Sequence, residues 1–310
     1  MNIIKLVFTL DFCSQSKKIL LEVKMINNQP SVLVTGASTG IGLATAQYLA
    51  AKGMHVFAGA RKQEALEGLA RNSNITPLKL DVTNPEDIQQ TKKIIEEKTA
   101  GLFGLINNAG IVKAGPLMDV SIEDLRAQFE VNLFGVHQIT QAMFPSLLKA
   151  KGRIIMMSSD SGFFATPFFG PYCSSKFALE GYSDSLRREI TPYGVKVIII
   201  EPGRITTPIW DKGEKYLNKY DDSLFAVEAK AIGEYAIRKG KTTGLAPIEV
   251  AKTVYLVLTI ASPKLRYIVA QNKLEYQMMK ILPANYVDTL TLKKVQKVVK
   301  LFQGATDHSK

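Results

Sequence analysis

The sequence places a phenol and an amine four positions apart, in the run Tyr172-Cys173-Ser174-Ser175-Lys176. On a helix that spacing puts both groups on one face, a single turn apart. Gly170-Pro171 offers a start for such a helix, because proline fits the first helical turn. A phenol near its reference pKa of ~10 is a poor proton carrier at neutral pH. A neighbouring cation favours phenolate, so Lys176 is expected to lower that value and make Tyr172 usable as a general acid or base. Thirteen residues upstream, Ser159 closes the apolar run Arg153 to Met157, which reads as a strand. Its hydroxyl is then expected to meet Tyr172 over one substrate oxygen. Taken alone, a Tyr and a Lys at this spacing more often mark a buried ring beside an amine that reaches for water. The surrounding elements must supply the context.

Those elements alternate. Ser31 to Thr35 is a short apolar run of the buried parallel-strand type, followed by Gly36-Ala37-Ser38-Thr39-Gly40-Ile41-Gly42 and a helical pattern from Leu43 to Lys52. Strand, glycine turn and helix make an entry for a dinucleotide. The glycines admit the pyrophosphate close to the backbone, and the helix N-terminus offers unpaired N–H groups. The second strand, His55 to Gly59, ends in Ala60-Arg61-Lys62 with no acid to hold a ribose 2′-hydroxyl, and Arg61 is suited to a 2′-phosphate. NADP(H) is therefore favoured and NAD(H) stays open. Further strands are expected at Ile75 to Leu80, from Leu105, at Arg153 to Met157, at Val195 to Ile200 and at Arg266 to Ala270. Helices are expected at Glu86 to Thr99, Ser121 to Ala150 and Ile248 to Ile260, with two more at Leu274 to Leu282 and Tyr286 to Phe302. Asn132 falls inside the second of these, where asparagine is locally unfavourable and so serves something other than the helix. Repeated βα alternation predicts an α/β fold: a doubly wound parallel sheet of Rossmann type, one domain with a C-terminal helical extension.

Composition narrows the chemistry. At 310 residues and 46% hydrophobic content the chain can bury a full core, and it contains no run of ~20 apolar residues. Two cysteines, Cys13 and Cys173, make no disulfide framework and suit a reducing, cytoplasmic compartment. The three histidines, His55, His137 and His308, show no ligand spacing, so no metal is expected. The net charge of +11 concentrates partly in Lys293, Lys294, Lys297 and Lys300. No nucleic-acid motif accompanies it, so no nucleic acid is expected as a partner, and attraction of a phosphate-bearing cofactor or anionic lipid accounts for the charge at least as well. Residues 1–30 read as an appended arm, or as the product of an upstream start codon for a protein that begins at Met25. Residues 31–282 form the expected catalytic domain, with 208–244 as a substrate lid and 283–310 as an amphipathic helix and tail.

With Thr35–Gly42 (TGASTGIG), Asn107–Gly110 (NNAG), Ser159 with Tyr172-xxx-Lys176, and Pro202–Thr207 (PGRITT) in that order, the chain resembles the short-chain dehydrogenase/reductase family. The run Tyr172–Gly181 and the long C-terminal part look like its hydroxysteroid and retinol dehydrogenase group. The resemblance implies that Gly36, Gly40 and Gly42, with Ile41, form the pyrophosphate turn. Asp81 would contact the adenine, and Asn107 would sit by the adenosine ribose and brace the sheet. Ser159 would polarise the substrate oxygen while Tyr172 exchanges its proton. Lys176 would bind the nicotinamide ribose and lower the Tyr172 pKa, and Asn132 would hold a water on a proton relay. Ile205 and Thr207 would take the carboxamide. Thr39 stands where many NADP-using members carry Lys or Arg, so phosphate selection rests on Arg61 with Ser38 or Lys62.

Phe163, Phe164, Phe168 and Phe169 lie between the Ser and the Tyr. Either they wall an apolar pocket or they pack the loop on the helix that follows. With Trp210 and the other aromatics of the expected lid, a bulky apolar alcohol or ketone (steroid, retinoid or lipid-like) is the expected substrate. The runner-up activities are an NAD-dependent alcohol dehydrogenase and a catalytically silent dinucleotide-binding scaffold. The amphipathic C-terminal helix is expected to pack on its own domain, with peripheral membrane contact as the alternative. A homodimer or homotetramer is also expected.

Overall fold

A computed structural model describes residues 29–307, so nearly all of the N-terminal arm expected over residues 1–30 lies outside the described residues, as do Cys13 and His308. Runs of branched apolar residues set the centre. Strands β1 (Ser31–Val34), β2 (His55–Ala60), β3 (Ile75–Lys79), β4 (Gly104–Asn107), β5 (Arg153–Met157), β6 (Lys196–Pro202) and β7 (Arg266–Val269) pair in parallel in the order β3-β2-β1-β4-β5-β6-β7. Every residue of β1, β2 and β4 is buried, as expected of parallel strands covered on both faces.

The covering helices are α1 (Gly40–Ala51), α2 (Gln63–Ala70), α3 (Pro85–Lys98), α4 (Ile122–Phe129), α5 (Gly135–Ala150), α6 (Gly170–Ile190), α7 (Ile209–Gly213), α8 (Ala226–Thr243), α9 (Pro247–Thr259), α10 (Lys273–Met279) and α11 (Ala284–Asp307). Strand alternation divides the core in two. Val32 and Val34 of β1 pack with Ala46 and Leu49 of α1 and Val250 and Val254 of α9. Leu33, between them, faces the layer of Ile139, Met143 and Leu147 of α5 and Leu179 of α6. The strand order reverses between β1 and β4, and that reversal opens a crevice at the carboxyl ends of the strands.

One segment differs from expectation. The single helix expected over Ser121 to Ala150 is broken by a π turn, Glu130–Phe134, with Asn132 at its middle. The segment 208–244 resolves into α7, a 3₁₀ turn at Glu214–Tyr216 and α8. At the C-terminus, Val295, Val298, Val299 and Phe302 of α11 pack on Ala231 and Ile232 of α8 and on Phe168 and Phe169, so the apolar face of this helix is spent on its own chain.

Candidate active site

The crevice is lined first by the glycine turn. Gly36 and Gly40 adopt positive φ, 67° and 57°, which L side chains rarely tolerate. Gly42 is required for another reason: a Cβ there would fall 2.2 Å from the Gly36 carbonyl oxygen. Thr39, the N-cap of α1, makes no side-chain cap, and no acid stands in the first turn. The N–H groups of that turn therefore face outward with their favourable dipole, beside Ser38 and Ile41. Thr207 closes over this turn, since a Cβ on Gly40 would lie 3.1 Å from its side chain. Ile205 is buried, its carbonyl accepts the Trp210 Nε1 hydrogen at 2.7 Å, and its backbone bridges to Leu245.

The neighbouring asparagines do different work. Asn107 is buried and its amide donates to Thr140 Oγ1 at 2.8 Å. The same Nδ2 lies 3.4 Å from Met156 Sδ on the neighbouring strand β5. Asn108, which the sequence reading passed over, donates to the carbonyls of Thr35 (2.9 Å) and Gly36 (3.2 Å). Thr35 Oγ1 in turn accepts from the Asn108 and Ala109 N–H groups, both at 3.0 Å. Thr35 and Asn108 thus lock the second motif to the first.

Asn132 shows why its helix opens into a π turn. Its Oδ1 accepts the Ile111 N–H at 2.9 Å, while Nδ2 donates to the Ile111 carbonyl and to Ser175 Oγ, both at 3.1 Å. The local widening aims one side chain at the loop after β4 and at the α6 residue beside Lys176. No hydrogen bond joins Asn132 to Lys176 itself among the described residues.

Ser159 stands two residues past β5 and caps a 3₁₀ turn, Asp160–Gly162. Its hydroxyl donates to Asp160 Oδ1 at 2.8 Å and accepts the Ser161 N–H at 3.1 Å. Tyr172 lies in the first turn of α6, which begins at Gly170-Pro171 as expected. Ser159 is near enough to the Tyr172 phenol to act on its titration. Lys176, one turn on, is buried; its Nζ sits 5.7 Å from the centre of the Tyr172 ring and donates to the Met157 carbonyl at 2.7 Å.

One expectation is corrected here. Burial pushes the Tyr172 pKa well above that of a free phenol, the Ser159 hydrogen bond recovers only part of this, and the Asp160 charge pushes it further up. Lys176 does not offset the rise, because burial lowers its own pKa to about 8 against a partial opposing pull from Glu180. Desolvation, invisible in the four-residue spacing, outweighs the cation. Burial likewise raises Asp160, while hydrogen bonds from Ser159, Ser161 and Tyr276 and the charge of Arg204 pull it back.

At the opposite end of the crevice, Arg61 Nη1 lies 3.5 Å from Asp81 Oδ2. Burial works against the Asp81 carboxylate, but the Thr83 hydrogen bonds and Arg61 outweigh it and hold the pKa below its ordinary value. The two residues assigned to the adenosine half are therefore brought together, with the Arg61 side chain still 64% exposed.

The aromatic residues take packing roles that the sequence left open. Phe163 meets the Tyr276 ring edge-on at 6.4 Å and carries Lys280 Nζ 4.2 Å from its centre. Phe169 joins the cluster beneath α11. Trp210 lies so close on Gly240 that a Cβ there would fall 2.1 Å from the indole. Phe163, Phe164 and Trp210 are all half-buried.

A dinucleotide cradle at the switch point of a parallel sheet, sharing a crevice with a Ser–Tyr–Lys set, defines an oxidoreductase of CH–OH and C=O groups that uses a nicotinamide dinucleotide. The chain belongs to the short chain dehydrogenase family, whose model matches residues 30–217. It is 36% identical over 282 residues to the NADPH-dependent 3-dehydrocapnine reductase of Ornithobacterium rhinotracheale, covering 86% of this chain and 97% of that one. It is 32% identical over 262 residues to the mitochondrial D-beta-hydroxybutyrate dehydrogenase of Rattus norvegicus, covering 76% of each. A short-chain dehydrogenase from Streptomyces avermitilis superposes with a TM-score of 0.70 at 26% identity, covering 89% of this chain and 98% of that one.

Proposed function

We propose that the chain is an NADP(H)-dependent oxidoreductase of bulky apolar carbonyl compounds or alcohols, with Tyr172 as the general acid–base. What supports this reading is the arrangement of three side chains: Ser159 just past β5, Tyr172 in the first turn of α6, and Lys176 one turn on with its Nζ 5.7 Å from the centre of the Tyr172 ring. The residues present fit the cofactor: glycines whose Cβ atoms would fill the cradle, and an uncapped helix N-terminus. Gly36, Gly40 and Gly42 would admit its pyrophosphate, Arg61 a 2′-phosphate, Lys176 a ribose, and Thr207 the carboxamide end. When bound, the nicotinamide supplies the hydride chemistry. The chain's own part is to orient the substrate and handle a proton. A phenol held protonated by burial is in the form needed to donate to a carbonyl oxygen, and Ser159 holds that oxygen in place.

Two observations favour NADP(H): no acid closes β2, and the Ornithobacterium relative is named for NADPH. Arg61→Ala should weaken NADPH binding by ~10-fold or more and leave NADH within ~3-fold, since a charged hydrogen bond is worth ~1.5–3 kcal/mol. Equal losses for the two cofactors in a fluorescence titration would turn the assignment toward NAD(H). An apolar substrate is favoured by the four half-buried phenylalanines, Phe163, Phe164, Phe168 and Phe169, that stand between Ser159 and Tyr172. Segment 208–244 is read as the lid over it. A panel of ketones and alcohols assayed with NADPH tests the activity, and Tyr172→Phe should lower kcat by ~10²–10⁴ without unfolding the chain. Turnover by that variant at the parent rate would sink the mechanism, and no turnover by the parent would favour the silent scaffold.

The outward face of α11 supports a second, subsidiary reading, contact with an anionic membrane. Tyr286, Leu290 and Leu301 are exposed there at helical spacing with Lys293, Lys297 and Lys300. Among the described residues, no helix is long and apolar enough to cross a membrane. Salt-sensitive flotation with phosphatidylglycerol vesicles, absent with phosphatidylcholine, is the expected result. Self-association is proposed for the surface where Phe134, at the end of the π turn, and Phe177 of α6 are exposed, and sedimentation tests it.

A further inference from the structure

The chain enters the Tyr172 helix through a turn that its own residues disfavour. The turn is Thr166-Pro167-Phe168-Phe169, closed by the Phe169 N–H donating to the Thr166 carbonyl at 3.2 Å. Proline in the second place and a positive φ in the third, 66° at Phe168, make the type II pattern, whose third place ordinarily belongs to glycine or asparagine. A bulky L side chain there is strained, and such strain persists only where the surroundings over-determine it. Two sets of contacts do so. The Phe168 carbonyl accepts the N–H of Gly115, from the loop after β4, at 2.8 Å. The Phe168 side chain packs against the cluster of Ala231 and Ile232 of α8 and Val298 of α11. Both helices lie outside residues 30–217, the stretch matched to the family.

The turn passes directly into α6. Phe169 is the N-cap residue of that helix, and its carbonyl accepts the Cys173 N–H at 2.9 Å. Leu117 closes over the junction, since a Cβ on Gly170 would fall 2.6 Å from its side chain. Glycine at 168 would make the same turn without strain, so the phenyl ring serves something other than the turn. We propose that Phe168 is a positioning residue for Tyr172: its ring ties the first turn of α6 to the cover formed by α8 and α11. This rests on the reading of Tyr172 as the general acid–base. The phenol stands four residues past the ring, so a shift of the turn carries it away from Ser159, and small misplacements of a reacting group slow the chemistry.

Phe168→Gly and Phe168→Ala both delete the ring, but only glycine accepts the positive φ freely. Phe168→Gly should therefore melt roughly 2–4 °C above Phe168→Ala. In ketone reduction with NADPH, both should lower kcat ~10-fold and keep KM within ~3-fold of the parent. A wall of the substrate pocket would instead raise KM at unchanged kcat, and a merely structural residue would lower the melting temperature alone. Either result overturns the proposal, as does an alanine variant that melts at or above the glycine one. Amide hydrogen exchange gives a readout that needs no turnover. Exchange across residues 173–176 should quicken in Phe168→Gly, and also in Val298→Ala, which thins the cluster and leaves the turn intact, while exchange of β5 and β6 stays unchanged. Should Phe168→Gly fail to fold, Val298→Ala decides by the same reading. Unchanged exchange across 173–176 in a folded variant overturns the proposal whatever the substrate panel returns, and a parent with no turnover overturns only the reading on which it rests.

Discussion

Replacing Lys176 by Met should inactivate the chain and make it more stable. At neutral pH the buried ammonium is mostly charged, and it is charged at a cost: its pKa is about 8 where an exposed lysine has 10.5. That gap corresponds to about 3 kcal/mol against the folded state. Met fills a similar volume with no charge to desolvate. It also forfeits the 2.7 Å hydrogen bond to the Met157 carbonyl, a loss of about 1 kcal/mol. A net gain of about 2 kcal/mol at pH 7 follows, or roughly 4 °C in melting temperature for a chain of this size. The sign of the pH dependence is fixed by linkage. Between the folded value of about 8 and the unfolded value of 10.5, the unfolded parent binds more protons, so parental stability rises with pH. The variant lacks this rise, and its advantage should be full below pH 8 and fade toward pH 10.5. Urea unfolding of both proteins at pH 7 and pH 10 measures the difference directly. A Met variant less stable than the parent at pH 7, or a difference that ignores pH, would refute the reasoning.

Two further predictions concern groups that hold the crevice together. Gly42→Ala puts a methyl 2.2 Å from the Gly36 oxygen, a backbone atom that cannot step aside as a side chain would. Alanine's helix propensity is ~1 kcal/mol better, but overpacking of ~1–3 kcal/mol should win, lowering the melting temperature and weakening NADPH binding by fluorescence titration; a stabilised variant would show that the turn yields. Asn132→Ala strips three hydrogen bonds of 2.9, 3.1 and 3.1 Å and leaves the Ile111 backbone unpartnered. It should cost ~2–4 kcal/mol in denaturant unfolding, and a loss under ~1 kcal/mol would mean that the π turn stands without it.

Much of this was legible because the relevant signals are local. The positive φ of Gly36 and Gly40 explains the residue type directly, and the buried runs of β1 and β5 announce themselves by content. Asn132 was marked as out of place in a helix, and it proves to occupy a π turn that no periodicity distinguishes from α. What was not legible depends on distance across the chain. The role of Asn108 is not announced by its sequence position; it appears only when β4 pairs beside β1 and brings Asn108 to Thr35. Phe163 sits in the catalytic loop by sequence, but its ring is covered by Tyr276 and Lys280 from more than a hundred residues away. The direction of the Tyr172 shift was missed for the same reason: spacing reports which groups are near, and burial is a property of everything packed around them.

Burial first looks like a defect in this site, since it raises the phenol and lowers the amine. The defect disappears when the substrate oxygen is counted. Desolvation penalises charges that lack a close counter-ion, and in the resting crevice Lys176 has the Met157 carbonyl, the Tyr172 ring and a partial pull from Glu180. In the proposed reduction a negative charge would grow on the oxygen assigned to Ser159 and Tyr172. In a medium of low effective dielectric, the attraction of that charge to a fixed ammonium is stronger than it would be in water. The cost of holding Lys176 charged and dry is thus carried in the ground state and recovered as the reaction proceeds, which is the condition for an interaction to raise kcat rather than merely tighten binding. The more stable, inactive Lys176→Met protein is the measurable other side of that arrangement.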